Sequence, residues 1–320
     1  MVSLMTSVGW RRAQRKIISA AINCCRESLG TNAKVSTLIQ LEKLAKHGLI
    51  LVSDADVRVP ADFLANVTAP LAPSDGERDG VRGNVGLVNC FYRLANPSTT
   101  AMQWEAVAIN ADFWSQVLQS RSLKPLDFAL GAIMLTRRAC LDEIGGFKSL
   151  ADCLADDYQL GNRIAKKGHR IALCPVVVEC WDSPMDWRAV WKHQLRWART
   201  IRACQPAPYF FSILSNATLW PLLFIIVAAI RQSQVPATMM QIGLLAGIVT
   251  AIALLLFRIV IAENLQQRLT PDRKLIAPPW LVPLKDLLQA AIWFLAFTGN
   301  TVEWRGKKMK LRPDGTLEQI

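Results

Sequence analysis

The apolar positions of this chain fall into two regimes. Up to about residue 185, short apolar runs alternate with amphipathic stretches punctuated by Gly, Pro and Asp; after residue 206 they merge into long blocks. In the first regime a helix is expected from Ser36, with Leu38, Leu41, Leu44 and Ala45 on one face and Gly48 as its stop. The apolar run 49–52 then reads as a buried strand that ends in Ser53-Asp54-Ala55-Asp56. Pro60 suits the first turn of a short helix through Val67, and a polar, Gly-rich loop at 73–83 leads to a strand at 85–92. A helix at 100–119, an apolar run at 129–135 and a helix ending at Gly145-Gly146 follow. Ala155-Asp156-Asp157-Tyr158 opens a further helix that stops at Gly168, before a strand at 170–178. Strands separated by helices predict an α/β domain with a mainly parallel sheet, its ligand site at the carboxyl ends of the strands. Asp54 and Asp56 fall at such an end.

In the second regime, 209–230 and 236–262 are each long enough to cross a bilayer as a helix, with Arg258 expected to snorkel from near one end. The apolar stretch 280–297 is interrupted by Pro283, Lys285 and Asp286. If it crossed the membrane, Arg305, Lys307, Lys308, Lys310 and Arg312 would emerge opposite the α/β domain, against the positive-inside rule. An interfacial or re-entrant segment is therefore expected. The resulting organisation is 1–29 unassigned, 30–185 the α/β domain, 186–205 an interfacial amphipathic helix, and 206–265 two transmembrane helices. Residues 266–302 form the interfacial or re-entrant segment and 303–320 a basic cytoplasmic tail.

Composition sharpens this picture. Hydrophobic residues make up 52% of the 320, which is rich for a chain wholly in water. The net charge of +12 is unevenly placed: from Trp187 to Ala262 there is no Asp or Glu, while Arg188, Lys192, Arg196, Arg199 and Arg202 directly precede the apolar block. That is the pattern of a cytoplasmic membrane flank. It accompanies no helix-turn-helix, zinc-finger or RNA-binding signature, so no nucleic-acid partner is expected. The eight cysteines show no paired metal-ligand spacing and read as reduced residues, and His47, His169 and His193 are too scattered for a zinc site.

Three features could carry chemistry. Asp54-Ala55-Asp56 at a strand end could hold a divalent metal that neutralises a diphosphate, although Asp-x-Asp alone is more often a solvated turn. Asp156 or Asp157 could take a proton from an acceptor hydroxyl, although an acidic pair also suits a helix N-terminus through capping and the dipole. His193-Gln194-Leu195-Arg196-Trp197 lies in a helix with Trp187 and Trp191. That helix reads either as an interfacial anchor or as a diphosphate clamp by Arg196 with Trp197 as a platform.

Taken in order, Ser-Asp-Ala-Asp, Gly-Ala-Ile-Met-Leu with Arg137 and Gly145-Gly146-Phe147, Ala-Asp-Asp-Tyr and Leu-Arg-Trp resemble the processive-type family 2 and especially the family 21 glycosyltransferases. The likeness to ceramide glucosyltransferases begins with Gly30-Thr31-Asn32-Ala33-Lys34 and runs to Trp304-Arg305-Gly306 and the basic stretch after it. It implies a GT-A fold and an inverting single displacement from a UDP-sugar with Mg2+ or Mn2+. In this reading Asp54 and Asp56 bind diphosphate and metal, Asp157, with Asp156 beside it, is the general base, and Arg196, Trp197, His193 and Lys34 contact the donor. His193 departs from the Gln or Arg usual at its position. Glucose and ceramide are the family default, with a hopanoid-like lipid the alternative acceptor. The implied location is a membrane, that of the bacterial inner membrane, with the catalytic domain cytoplasmic. Relatives also carry an N-terminal membrane helix, then strands and an aspartate that cradle uridine. None is recognisable in 1–29, so a truncated or aberrant N-terminus is expected. Two further readings remain open: a polymerising synthase, disfavoured by too few spans, and a catalytically inactive membrane protein.

Overall fold

The computed structural model describes residues 27–71, 85–231, 237–270, 277–304 and 306–320. Most of the N-terminal stretch, with Cys24 and Cys25, and the expected loop at 73–83 lie outside these residues. The described part is a mixed α/β domain continued by apolar helices and closed by a small second sheet.

Among the described residues the main sheet has five strands: β1 (Leu49–Ser53), β2 (Val57–Arg58), β3 (Val85–Leu94), β4 (Ile133–Arg137) and β5 (Arg170–Cys180), in the order β1-β4-β3-β5-β2. Only β3 and β5 run parallel; β1–β4, β3–β4 and β2–β5 are antiparallel. The sheet is thus mixed and mostly antiparallel, not mainly parallel. Hydrophobic pattern and helical spacers mark where strands lie but carry no direction, and β4 inserts antiparallel between β1 and β3. The central β3 is buried almost throughout, as a strand covered on both faces must be.

The run at 49–52 is likewise not a fully buried strand. β1 is an edge strand whose Ile50 and Val52 face the core while Leu49 and Leu51 are each 40% exposed. Its neighbour α1 (Ala33–Glu42) starts earlier than expected, because the Asn32 side chain caps the amides of Lys34 and Val35. The buried face is Val35, Ser36, Ile39 and Gln40, with Leu44 left exposed. The expected face was one residue out of phase with the real one, as a helix without a marked apolar stripe allows.

α2 (Phe63–Thr68) follows β2, and one long helical run then packs on the sheet: α3 (Thr100–Val107), a π-helical turn (Ala108–Phe113) and α4 (Trp114–Leu123). α5 (Arg138–Glu143) follows β4, α6 (Asp156–Lys166) leads into β5, and α7 (Trp187–Cys204) carries the basic, Trp-rich face and contacts α3.

Among the described residues, Gly243–Arg268 within α10 (Ala237–Arg268) is the one single helix long and apolar enough to cross a membrane. The expected span at 209–230 is broken: Pro206–Ser215, opened by α8 (Pro206–Phe211), and Leu219–Ile230, within α9 (Leu219–Arg231), meet at 56°. The break is held by Asn216, whose amide donates to the Asp286 carbonyl at 2.7 Å, and by Thr218, whose hydroxyl donates to the Asp286 carboxylate at 2.6 Å. Arg258 does not snorkel. Its guanidinium pairs with Asp286 on α11 (Leu281–Ala296) and with Asp112 in the π-helical turn, while Lys285 pairs with both acids. Such side chains inside an apolar helix need counter-charges, and a folded domain supplies them here where solvent was expected to.

The basic segment at 303–320 is no loose tail. β6 (Thr301–Trp304), β7 (Lys307–Leu311) and β8 (Leu317–Gln319) form an antiparallel sheet, closed by Val302, Met309, Leu311 and Leu317 over Leu154. Alternation of lysines with apolar residues in Lys307–Leu311 was the visible sign of that strand.

Candidate functional site

The site forms where β1, β4 and the N-terminus of α6 converge. Gly30 approaches the 151–153 segment so closely that a Cβ would lie 2.5 Å from the Ala151 carbonyl. Thr31 binds the Asp152 carboxylate, and the buried Asn32 donates to the Cys153 carbonyl at 2.7 Å. This clasp sets Lys34 on the first turn of α1. Its ammonium lies 2.9 Å from Asp54 Oδ1 and 3.2 Å from Asp156 Oδ2, the latter within ion-pair range but not aligned as a hydrogen bond.

The second support is the turn Gly131-Ala132 ahead of β4. The Gly131 amide donates to Asp157 Oδ2 at 2.7 Å and the Ala132 amide reaches Asp54 Oδ2 at 3.4 Å, while the Asp54 amide donates back to the Ala132 carbonyl at 2.9 Å. Ala132 has φ of 67°, a conformation that costs a residue with a Cβ. Gly161, one turn beyond Asp157, lets α6 press onto the 128–129 backbone: a Cβ there would meet the Ala129 nitrogen at 2.0 Å. The two aspartates, far apart in sequence, are thereby held on one strap.

The charges reflect this crowding. Burial raises the Asp156 carboxyl to about 6, with Asp157 and Asp54 adding to the rise and Lys34 opposing it. For Lys34, burial works against the ammonium, but Asp156, Asp54 and Asp157 outweigh it and its pKa is raised. Burial lowers that of Arg196, opposed by Asp157 and Glu105. Arg196 therefore lies within the field of Asp157. Trp197 meets His193 edge-on at 4.9 Å between centroids and packs beside Phe113 at 6.2 Å. His193 Nδ1 bonds the buried Glu105 at 2.7 Å.

Asp56 is exposed, beyond the strap, with its carbonyl accepting from the Trp181 amide at 2.9 Å. Among the described residues no three His, Cys, Asp or Glu side chains converge to hold a metal, so a cage made by protein alone does not fit. Sequence reasoning missed Asp182, whose carboxyl is raised by burial and by Asp56, as well as Glu105 and the Gly131-Ala132 strap. Only the last had a visible signal, a Gly-Ala pair just before an apolar strand.

Carboxylates beside cations at strand ends, joined to apolar helices, suit group transfer between a phosphorylated donor and a hydroxyl. Residues 11–317 match the family model described as Glycosyl transferase family 21, and the chain belongs to that family. Its class of activity is glycosyl transfer.

Proposed function

We propose that the chain moves a hexose, glucose by family default, from a UDP-sugar to the hydroxyl of a membrane lipid of ceramide or hopanoid type, with inversion and on a GT-A domain. The observation that carries this reading is the strap that sets Asp54 and Asp157 side by side between Lys34 and Arg196. An inverting displacement needs a base on the acceptor side and positive charge on the leaving side. Asp157 is the base. The Gly131 amide fixes one of its oxygens, and the Tyr158 amide holds the other at 2.7 Å. Asp156, buried beside it, pairs with Lys34 at 3.2 Å. Lys34 and Arg196 face the diphosphate, His193 lies beside the bound donor, and Trp197 walls the donor pocket.

Asp56 and Asp54 are the residues that would hold Mg2+ or Mn2+. A hard cation bound by one or two carboxylates plus substrate phosphates fits that donor set. Such an ion supplies neutralisation of diphosphate charge when bound. The domain division is proposed as 30–185 for sugar handling and 186–205 as the basic helix at the membrane face. Residues 206–265 are the spanning region, and 266–302 an interfacial segment that keeps the catalytic domain and C-terminus cytoplasmic.

Transfer of labelled glucose or N-acetylglucosamine from UDP-sugars to extracted lipids, in membranes expressing the chain, tests the reading. Wild type transfers a single sugar to lipid. Asp157→Asn loses at least about a hundredfold in turnover while still binding UDP, and Asp54→Asn loses UDP binding itself. Polymer in place of glycolipid, or retained turnover in Asp157→Asn, sinks it.

A further inference from the structure

Glu105, on α3, has a fully buried side chain among the buried Met102, Trp104, Ala106 and Val107 of the same helix. A carboxylate in such a place costs several kcal/mol (~3–5 on loss of its partner) unless its partners are good, and a Met would fill the volume without that cost. Its two partners are consecutive residues of α7: His193 Nδ1 at 2.7 Å and Gln194 Nε2 at 2.8 Å, both on Oε1. Oε2 is buried with no hydrogen bond. The arrangement spends a buried charge on one imidazole and its neighbour, although packing of α3 on α7 is already supplied by Trp104 against Trp187.

The chemistry of the pair fixes the ring. An ionised carboxylate only accepts, so the nitrogen facing Oε1 must carry the proton. A neutral His193 is then protonated on Nδ1 and bare on Nε2. The ring remains partly exposed and stands edge-on to Trp197, and it is close enough to Asp182 to oppose the rise that burial and Asp56 give that carboxyl. Nε2 is therefore the ring nitrogen that Glu105 leaves for another partner, on a ring beside Trp197 and Asp182.

We propose that Glu105 is a positioning residue that locks His193 in the Nδ1–H tautomer, so that Nε2 accepts a hydrogen bond from a hydroxyl of the bound substrate. The proposal rests on the transfer reaction given above, and the hydroxyl belongs either to the transferred hexose or to the lipid.

Two measurements on the full chain in detergent micelles test it. The chain has three histidines, so 15N-histidine spectra with a His193→Gln control identify the His193 signals. The wild-type ring is expected as the Nδ1–H tautomer, retained in Glu105→Gln, which keeps the accepting oxygen, and lost in Glu105→Met. A wild-type Nε2–H tautomer overturns the proposal whatever the variants do. In kinetics, Glu105→Met raises one KM about tenfold, the scale of a single lost hydrogen bond, with kcat changed by less than about threefold. Glu105→Gln restores it. In a His193→Ala background Glu105→Met has no further effect. A rise in the UDP-sugar KM assigns the hydroxyl to the hexose, and a rise in the lipid KM assigns it to the acceptor. Additive losses in the double variant, or a loss in kcat alone, overturn it. Absence of any turnover in wild type sinks the transfer reading, while the spectra still decide the tautomer.

Discussion

The guanidinium of Arg258, on the membrane-length helix α10, donates to both oxygens of Asp112 at 2.8 and 2.9 Å. Asp112 belongs to the π-helical turn, next to Phe113, which packs beside Trp197. One ion pair thus links the membrane-type helix to the wall of the site. Asp286 completes the pairing and also holds the break between the two halves of the bent helix.

Replacing Arg258 with Met leaves Asp112 and Asp286 sharing only Lys285. Removing one partner from a buried pair costs ~3–5 kcal/mol. The expected outcome is a lowered unfolding midpoint in detergent, together with reduced transfer, and Arg258→Lys recovers part of both. Unchanged thermal stability in Arg258→Met would show that the pair adds nothing to the junction.

Gly161→Ala places a methyl 2.0 Å from the Ala129 nitrogen, so α6 must move off the backbone that carries the strap. Overpacking of this kind costs ~1–3 kcal/mol. The shift also pulls Asp157 from the Gly131 amide, so turnover is expected to fall by more than about tenfold, with UDP binding less affected because Asp54 stays on β1. Thermal melts read the first effect and single-turnover assays the second; equal losses in turnover and UDP affinity would argue against a movement confined to α6.

Much of this molecule was legible in its sequence, and the gaps have physical causes. The strand ending at Asp54, the helix opened by Asp156 and Asp157, and the apolar block from 206 follow from period, Gly and Pro punctuation and length. The direction of β4 does not, because alternation is the same read either way. The partner of Arg258 was hidden because charges 146 residues apart in sequence meet only through tertiary packing. Nothing in the sequence around Glu105 marks it; only the fold shows His193 and Gln194 converging on it. Lys34 was assigned to the donor by resemblance, and the clasp at Gly30, Thr31 and Asn32 explains why that short motif has its composition.

Asp156 gives a pH dependence with a definite sign. Its folded-state pKa of about 6 lies above the ordinary 3.8, so between these values the native protein binds more protons than the unfolded chain. Stability contributed by the protonated group is full below the lower value and is lost as pH rises through the higher one. Asp156→Asn, which cannot ionise, removes that slope. Unfolding midpoints of wild type and variant measured from pH 4 to 7 should diverge, wild type falling relative to Asp156→Asn as pH rises. Parallel curves would mean that the Lys34 pair, not burial, controls the group.

The C-terminal sheet holds the site from the far side. The Leu317 amide donates to the Asp152 carbonyl at 2.7 Å and the Leu154 amide to the Gly315 carbonyl at 3.2 Å, so residues 152–154, which lead directly into Asp156, form part of its edge. Arg199 and Arg202 of α7 bind the Thr301 carbonyl and the Asn300 side chain, and Lys192 pairs with Glu303 at 2.7 Å. The sheet therefore spans the two elements that carry Asp157 and Arg196. Met309→Ala empties the centre of its small apolar cluster, at a cost of ~2 kcal/mol or more for loss of a buried Met side chain. Because so few residues close that cluster, the sheet should detach before the main domain unfolds, exposing the 306–316 segment to protease while the main domain stays folded. Transfer should fall in step with that cleavage. Faster proteolysis with undiminished transfer would show instead that α6 and α7 keep their relative placement without the sheet.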